Sequence, residues 1–592
     1  MRCGVLTSVR SRRRRPRHAR TRCETIAGLM FKPWLAHYPD GIPSEIDVDC
    51  HASLVDAMAD ACSRFADLPA LWSMGRSMTY RQLDEASLAF AAWLQHDAGL
   101  ARGERVALMM PNLMQYPVAL LGVLRAGLVV VNVNPLYTPR ELEHQLQDSG
   151  AAAIVVLENF AAKLEQVVAA TRLRAIVTTG VGDLLGFKGT IVNAVVRHVK
   201  KLVPAWHLPG AVSFNQALAA GRRRPLSPVT LGHDDLAFLQ YTGGTTGVAK
   251  GAMLTQGNVL ANVLQVSAWL ARDLQDGRET VVLPLPMYHV FALMASFVFL
   301  RKGAKLVLIA NPRDMGDMLK TLQAVPFSGI VGVNTLYRAL LDAPGFAKVD
   351  LSGLKLAVAG GMAVQHIVAQ RWRERAKVPL VEGYGLTEAS PVAIANPVDV
   401  HEWSGTIGVP IPSTEVVIAD DEGRVQPTGS VGEIRLRGPQ IMRGYWQRPE
   451  ETAEVLTADG WLRTGDMGTM DEEGNIRITD RKKDMIVVSG FKVFPNEVED
   501  VLAMHPGVQE AGAVGVPDDR SGEAVKVVVV RHDPELTERE LLAHCRQHLT
   551  GYKMPRHIEF RDQPLPRTNI GKILRRELRD TPKPAPKAEE SA

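Results

Sequence analysis

Short runs rich in valine and isoleucine recur along the chain, each followed by a stretch of helical texture. They read "RVALMMPN" at 105–112, "LVVVNVNP" at 128–135, "AAIVVLEN" at 152–159, "AKLVLIANP" at 304–312 and "LKLAVAGG" at 354–361. A strand that is apolar on both sides must be covered on both sides, and strands separated by helices are joined by crossovers. The pattern therefore specifies an α/β fold built on parallel sheets. Between Gly408 and Ile478 the texture changes. "TEVVIADDEGRVQPTGSVGEIRLRG" and "DMGTMDEEGNIRITD" read as short strands joined by Gly- and Asp-rich turns, a more antiparallel region. From Arg481 a compact α+β stretch follows, with "NEVEDVLAMHPGV" and "ERELLAHCRQHL" as helices and "EAVKVVVVRH" as a strand.

A length of 592 residues implies several units. The boundary falls in "TDRKKDMI", where five consecutive charged residues, Asp480 to Asp484, are expected outside the core as a solvated turn or a hinge. This gives a large domain at 30–480 and a small one at 481–580. The Pro-, Lys- and Glu-rich tail 581–592 is expected to be disordered.

The formal net charge of +4 suggests nucleic acid, but its distribution excludes it. Residues 1–29 hold nine arginines and one acid, Glu24, hence 9 − 1 = +8; the rest carries 4 − 8 = −4. A nucleic-acid footprint belongs on the folded domain. The basic segment is Arg-rich like a transit peptide but lacks an evident amphipathic helix, and reads as an extension upstream of a native start at Met30.

Five cysteines without a CxxC pair imply neither a disulfide framework nor a zinc site, which makes the cytosol the default compartment. Val281–Leu300 is twenty residues without Asp, Glu, Lys or Arg, long enough to cross a bilayer. Pro284, Pro286 and the polar "MYH" argue instead for a buried strand, a turn and a buried helix.

Chemistry enters with "QYTGGTTGVAKGAMLTQGN", Gln240 to Asn258. Glycines let backbone approach an anion, and successive N–H groups cradle it. Gly243, Gly244 and Gly247 supply that freedom, Thr242, Thr245 and Thr246 supply hydroxyls, and Lys250 a point charge. A Walker A loop needs Gly-Lys followed by Ser or Thr; here Val248 and Ala249 precede the lysine and Gly251 follows it. The loop is a phosphate cradle of another kind, the bland alternative being a flexible Ser/Thr/Gly turn.

Four more segments accompany it in order: "EGYGLTEAS" at 382–390, "WLRTGDMG" at 461–468, "DRKKDMIVVSGFKV" at 480–493 and "PRTNIGKILRREL" at 566–578. Together these resemble the adenylate-forming superfamily, which includes acyl-CoA synthetases, beetle luciferases and peptide-synthetase adenylation domains. The resemblance runs from Met30 to Asp580. It is closer still to the long-chain fatty-acid–CoA ligases of bacterial β-oxidation, through "MMPNLMQYPVALLGVLRAG", "VNVNPLYTPRELEHQL", "LPMYHVFAL", "VLIANPRDM" and "QIMRGYWQRPEET".

The resemblance implies parallel α/β sheets with a distorted β-barrel subdomain in the large domain, and a mobile small domain. It implies a ligase that joins a long-chain fatty acid to coenzyme A through an acyl-adenylate, with ATP as co-substrate, Mg²⁺ as cofactor, and AMP and pyrophosphate released. Two anions meet in the first step, so cationic groups and a metal are required. The glycine loop would then hold the departing pyrophosphate. Glu388 is the expected metal ligand, with Thr387 at the α-phosphate, against a helix-capping alternative. Tyr384 is placed at the adenine face, against the alternative of an ordinary buried tyrosine, with Gly385 among the cofactor-binding residues, Asp466 on the ribose hydroxyls, and Arg481 on ribose or phosphate. Gly360 and Gly361 would let backbone approach the nucleotide or acyl chain.

Lys572 is the expected catalytic lysine, reaching from the small domain to the carboxylate and α-phosphate, where "KILRR" alone would mean a solvated basic helix. Lys483 is placed at the hinge and Gly490 beside the pantetheine tunnel. His289 is either near the acyl group or a satisfied core histidine. The resemblance is compatible with transient peripheral contact at the inner face of the membrane and with a homodimer. Alternatives are a fatty acyl-AMP ligase loading a carrier protein, a luciferase-like oxidoreductase, and a noncatalytic lipid-binding protein.

Overall fold

The computed structural model describes residues 32–242, 249–400, 402–489, 491–518, 520–568 and 573–579. The expectations for residues 1–29 and 581–592 lie outside them. Among the described residues two large sheets dominate. In one, strands Ala175–Thr179, Ala153–Leu157, Arg105–Met109, Val129–Asn132 and Leu236–Thr242 run parallel, with Lys250–Thr255 antiparallel at the edge. In the other, Leu380–Gly385, Leu356–Gly360, Gly329–Gly332, Thr280–Leu283, Lys305–Leu308 and Pro69–Ser73 form the parallel centre. All five apolar runs are strands.

Their side chains show why such runs are apolar throughout. Alternate residues of a strand point to opposite faces. Val106 and Leu108 enter the main core, which both sheets share. Ala107 and Met109 enter a second core, closed by Leu142 and Leu146 of helix Pro139–Ser149. Helix starts are marked locally: Thr138, Thr255 and Thr537 each form a reciprocal capping box with the residue three positions on.

The stretch that imitates a membrane span is strand Thr280–Leu283, a turn, and helix Val290–Arg301. Among the described residues no helix is long and apolar enough to cross a membrane.

Strands Glu415–Ala419, Gly432–Arg437, Leu462–Met470 and Ile476–Arg481 form an antiparallel sheet. A bridge between Gly408 and Ile476 ties it to the segment entering strand Val409–Pro410. Beyond Arg481 the chain joins a different sheet, where Val508–Asp518 and Gly522–Arg531 pair antiparallel and His557–Arg561 adds in parallel. Helices Pro495–Ala503 and Glu538–His548 pack on one face. Leu578 of helix Arg575–Arg579 packs on Val514, Val528 and Val530 of the other.

The charged run departs from expectation at its first residue. Asp480 is fully buried. Its Oδ1 accepts from the Arg481 N–H at 2.7 Å and its Oδ2 from the Asn496 N–H at 2.8 Å. Arg575 adds an ion pair at 3.1 Å. A buried charge is tolerated only with such partners, and two of them, Asn496 and Arg575, come from segments distant in sequence.

Candidate active site

A cavity of about 2040 Å³ is lined by both large sheets, the antiparallel sheet and the C-terminal unit. Every described residue singled out from the sequence lines it: Thr242, Lys250, His289, Gly360, Gly361, Tyr384, Gly385, Thr387, Glu388, Asp466, Arg481 and Lys483. Gly243, Gly244, Thr245, Thr246, Gly247, Gly490 and Lys572 lie outside the described residues. Thr568 and Ile573, near Lys572 in sequence, both line the cavity.

Tyr384 is the penultimate residue of strand Leu380–Gly385, and its hydroxyl donates to Asp466 Oδ2 at 2.6 Å. Asp466 lies in strand Leu462–Met470 opposite Arg481, whose Nε approaches Oδ1 at 3.2 Å. Burial first, then the Asp466 charge, hold the Tyr384 phenol well above its ordinary pKa, so it stays a donor. The Asp466 carboxylate is thereby fixed in orientation.

A turn follows the strand. A Cβ on Gly385 would meet the Pro391 carbonyl oxygen at 1.9 Å, so only glycine allows the chain to fold back here. Thr387 and Glu388 then form a 3₁₀ turn, Thr387–Ala389, with no side-chain cap. The capping alternative for this pair is therefore not what the structure shows. Glu388 Oε1 accepts from the Tyr445 hydroxyl at 2.6 Å. Lys250 places Nζ 5.3 Å from the Tyr445 ring centroid, a cation over an aromatic face. Lys250 pairs in register with Thr242 across the hairpin that carries the glycine loop.

The metal expectation meets a specific donor set. Among the described residues no hydrogen bond reaches Glu388 Oε2, and no group of three or more His, Cys, Asp or Glu is arranged for a metal ion. A cavity-lining carboxylate with one oxygen left over suits Mg²⁺, which keeps waters and takes phosphate oxygens as its other ligands.

His289 Nδ1 accepts from the Phe291 N–H at 3.4 Å and caps helix Val290–Arg301, while the side chain also lines the cavity. That helix serves two surfaces. Phe291, Met294, Ala295 and Val298 line the cavity at helical spacing. Leu293, Phe297 and Leu300 are buried in the core. One face of the helix thus borders the cavity while the opposite face packs into the core. Gly361 has φ +76°, where the chain leaves strand Leu356–Gly360 beside the cavity. Lys483 is pulled below the ordinary lysine range, by burial and then by Arg481.

Three further residues escaped the sequence reading. Tyr445 lies in "QIMRGYWQRPEET", a segment noted without a role for its tyrosine. Glu382 opens "EGYGLTEAS"; it is buried on the cavity wall, and burial raises its carboxyl to about 7, against the Val364 N–H bond. Arg575 in "KILRREL" is not a solvated helix residue. It pairs with Asp480 at 3.1 Å, Glu499 at 2.9 Å and Asp484 at 3.6 Å, and donates to Asn496.

The family model for AMP-binding enzymes matches residues 58–446, and that for the AMP-binding enzyme C-terminal domain matches 497–572. The long-chain-fatty-acid–CoA ligase of Escherichia coli O6:H1 is 56% identical over 553 residues, 93% of this chain and 98% of that protein. The one from Haemophilus influenzae is 53% identical over 93% of this chain and 98% of its own. The one from Bacillus subtilis is 40% identical over 92% and 97%. The anthranilate CoA ligase AuaEII in complex with anthranoyl-AMP superimposes with a TM-score of 0.78 at 26% identity, covering 90% of this chain and 98% of that one. ATP-bound MatB from Rhodopseudomonas palustris gives 0.72 at 27%, covering 89% and 98%. Two family models in chain order, and relatives above 50% identity over nearly the whole length, place the chain in the AMP-binding enzyme family, among the long-chain-fatty-acid–CoA ligases.

Proposed function

We propose that the chain activates long-chain fatty acids in two steps at this one cavity. In the first, a carboxylate oxygen attacks the α-phosphorus of ATP and the bond to the pyrophosphate oxygen breaks. In the second, the coenzyme A sulfur attacks the acyl carbon and AMP leaves. The observation that carries the reading is the meeting, in one cavity, of the Tyr384–Asp466–Arg481 and Lys250–Tyr445–Glu388 groups with the apolar face of helix Val290–Arg301.

In this reading Asp466 accepts the ribose hydroxyls, held by Tyr384, and Arg481 adds charge beside the ribose or phosphate. Gly360, Gly361 and Gly385 leave room for the nucleotide. Lys250 and the 243–247 loop hold the β- and γ-phosphates, and Thr387 meets the α-phosphate. Glu388 would hold Mg²⁺, which when bound supplies positive charge against the colliding anions. Phe291, Met294 and Val298 contact the acyl chain, with His289 at its carboxyl end.

Lys572 neutralises the carboxylate and α-phosphate in the first step. Because it would then block the thiol, the small domain, 481–580, turns on a hinge at 480–484 that includes Lys483. That motion brings Gly490 toward the pantetheine arm, a gating device known in many enzymes. Membrane contact in this reading is peripheral and transient, since the substrate itself partitions into bilayers, and a homodimer is compatible with it.

The test is a chain-length series of fatty acids with ATP and coenzyme A, assayed for thioester and AMP. Long-chain acids should give both in equal amounts. Thioester from short or aromatic acids alone would reject the substrate class, and AMP without thioester would favour a carrier-loading ligase.

A further inference from the structure

The two most exposed large apolar side chains among the described residues sit on one element. Phe187 is 85% exposed and Val199 74%. Ile191 at 54% and Leu202 at 55% extend the ridge. The element is helix Phe187–Ala194, which continues as a π-helical turn, Val195–Val199. Isolated exposed apolar residues need no explanation, but a contiguous ridge marks a contact surface.

The ridge is held in place. A Cβ on Gly189 would meet the Gly182 carbonyl oxygen at 1.8 Å, so the helix sits directly on the preceding turn. Asn193 accepts from the Gly182 N–H at 2.7 Å and donates to Asp183 at 2.8 Å. Arg197 pairs with Glu158 at 2.7 Å, and Asn159 donates to the Leu202 carbonyl at 2.9 Å. Polar contacts thus anchor one side while apolar side chains face solvent on the other.

Charge identifies the occupant. Between Asp183 and Asp234 there is no Asp or Glu, whereas seven Lys and Arg occur. This lies in a body that carries −4 from Met30 onward. Lys188 donates to the Met74 carbonyl at 2.6 Å, a bond to an uncharged partner. Among the described residues no carboxylate pairs with Lys200 or Lys201. An apolar ridge flanked by lysines fits the headgroup boundary of an anionic bilayer. The chain's own Arg-rich residues 1–29 would be repelled from it.

We propose that Phe187, Ile191, Val199 and Leu202, with Lys188, Lys200 and Lys201, dock the protein on the surface of an anionic phospholipid bilayer. This deepens the peripheral-contact part of the proposed function. Binding is read without ATP or coenzyme A, so its failure would leave the ligase reading standing.

The experiment is co-sedimentation of the full chain with vesicles of phosphatidylcholine alone or mixed with phosphatidylglycerol. The mixed vesicles should be bound at least about tenfold more tightly, and added salt should weaken the binding. Lys200→Glu with Lys201→Glu should lower it by about 30-fold, at about fivefold or more per lysine. Phe187→Ser with Ile191→Ser should lower it by about tenfold or more. Both double variants should keep the wild-type melting temperature and thioester formation from acid presented in solution. Equal binding to the two vesicle types, or binding untouched by either pair of changes, overturns the proposal. So does a solution dimer that the Phe187/Ile191 variant abolishes while vesicle binding is retained, which would assign the ridge to a second copy.

Discussion

Arg575 Nη1 lies 3.1 Å from Oδ1 of Asp480, linking the last turn of the chain's chemistry to the end of the antiparallel sheet across 95 positions. Arg575 stands three residues after Lys572 in sequence, and Asp480 opens the proposed hinge. Burial raises the Asp480 and Glu499 carboxyls, and the guanidinium opposes that rise. Removing one partner of a buried pair leaves the others uncompensated, typically at a cost of about 3–5 kcal/mol. Arg575→Ala should therefore lower the melting temperature clearly. The loss should be larger at pH 8 than at pH 5, because stranded carboxyls with raised pKa values destabilise the fold as they ionise. An unchanged, pH-independent melting temperature would contradict this.

Lys572→Ala separates the half-reactions. Loss of a preorganised positive group facing developing charge costs about 10²–10³ in rate. Pyrophosphate release from ATP and fatty acid should fall by that factor. Thioester formation from supplied acyl-AMP should stay within about threefold of wild type. Equal losses in both steps would remove Lys572 from the role given to it.

Tyr445 tests the metal reading. Its hydroxyl orients Glu388 at 2.6 Å, and outer partners of metal ligands are worth about 10–100-fold in metal affinity or activity. Tyr445→Phe should raise the Mg²⁺ concentration for half-maximal rate by that range while leaving the KM for fatty acid in place. An unaltered Mg²⁺ dependence would mean that Glu388 does not hold the ion.

The elements and the site motifs were visible in the sequence; the pairings between distant residues were not. Parallel strands, helix caps and the buried helix Val290–Arg301 are written in local patterns of apolarity and capping. The twelve described site residues were legible because family motifs carry them, and each lines the cavity. Tyr445 and Glu388 are 57 positions apart, and no periodicity joins them. A charged run looks solvated until the buried partners of Asp480 are known, and "KILRR" looks like a surface helix for the same reason. Pairings made only by folding leave no local trace.

Glu382 offers a pH test. Burial raises its carboxyl from the ordinary 4.5 to about 7 in the folded chain. Between those values the folded state holds a proton that the unfolded state has lost. Its contribution is complete below about pH 4.5 and is lost as pH rises through about 7. Glu382→Gln removes the dependence, so the variant should gain stability relative to wild type across that window, by about 3 kcal/mol in all. Melting temperatures of both proteins from pH 4.5 to 8 check the sign. A constant difference would show that Glu382 does not titrate there.

In this enzyme an acyl-adenylate should form before any thiol is needed. Fatty-acid-dependent exchange of labelled pyrophosphate into ATP, with coenzyme A absent, measures that step alone. Exchange should require a long-chain acid and Mg²⁺, and should fall with Lys572→Ala. Exchange that appears only when coenzyme A is present, or ADP in place of AMP among the products, would contradict it.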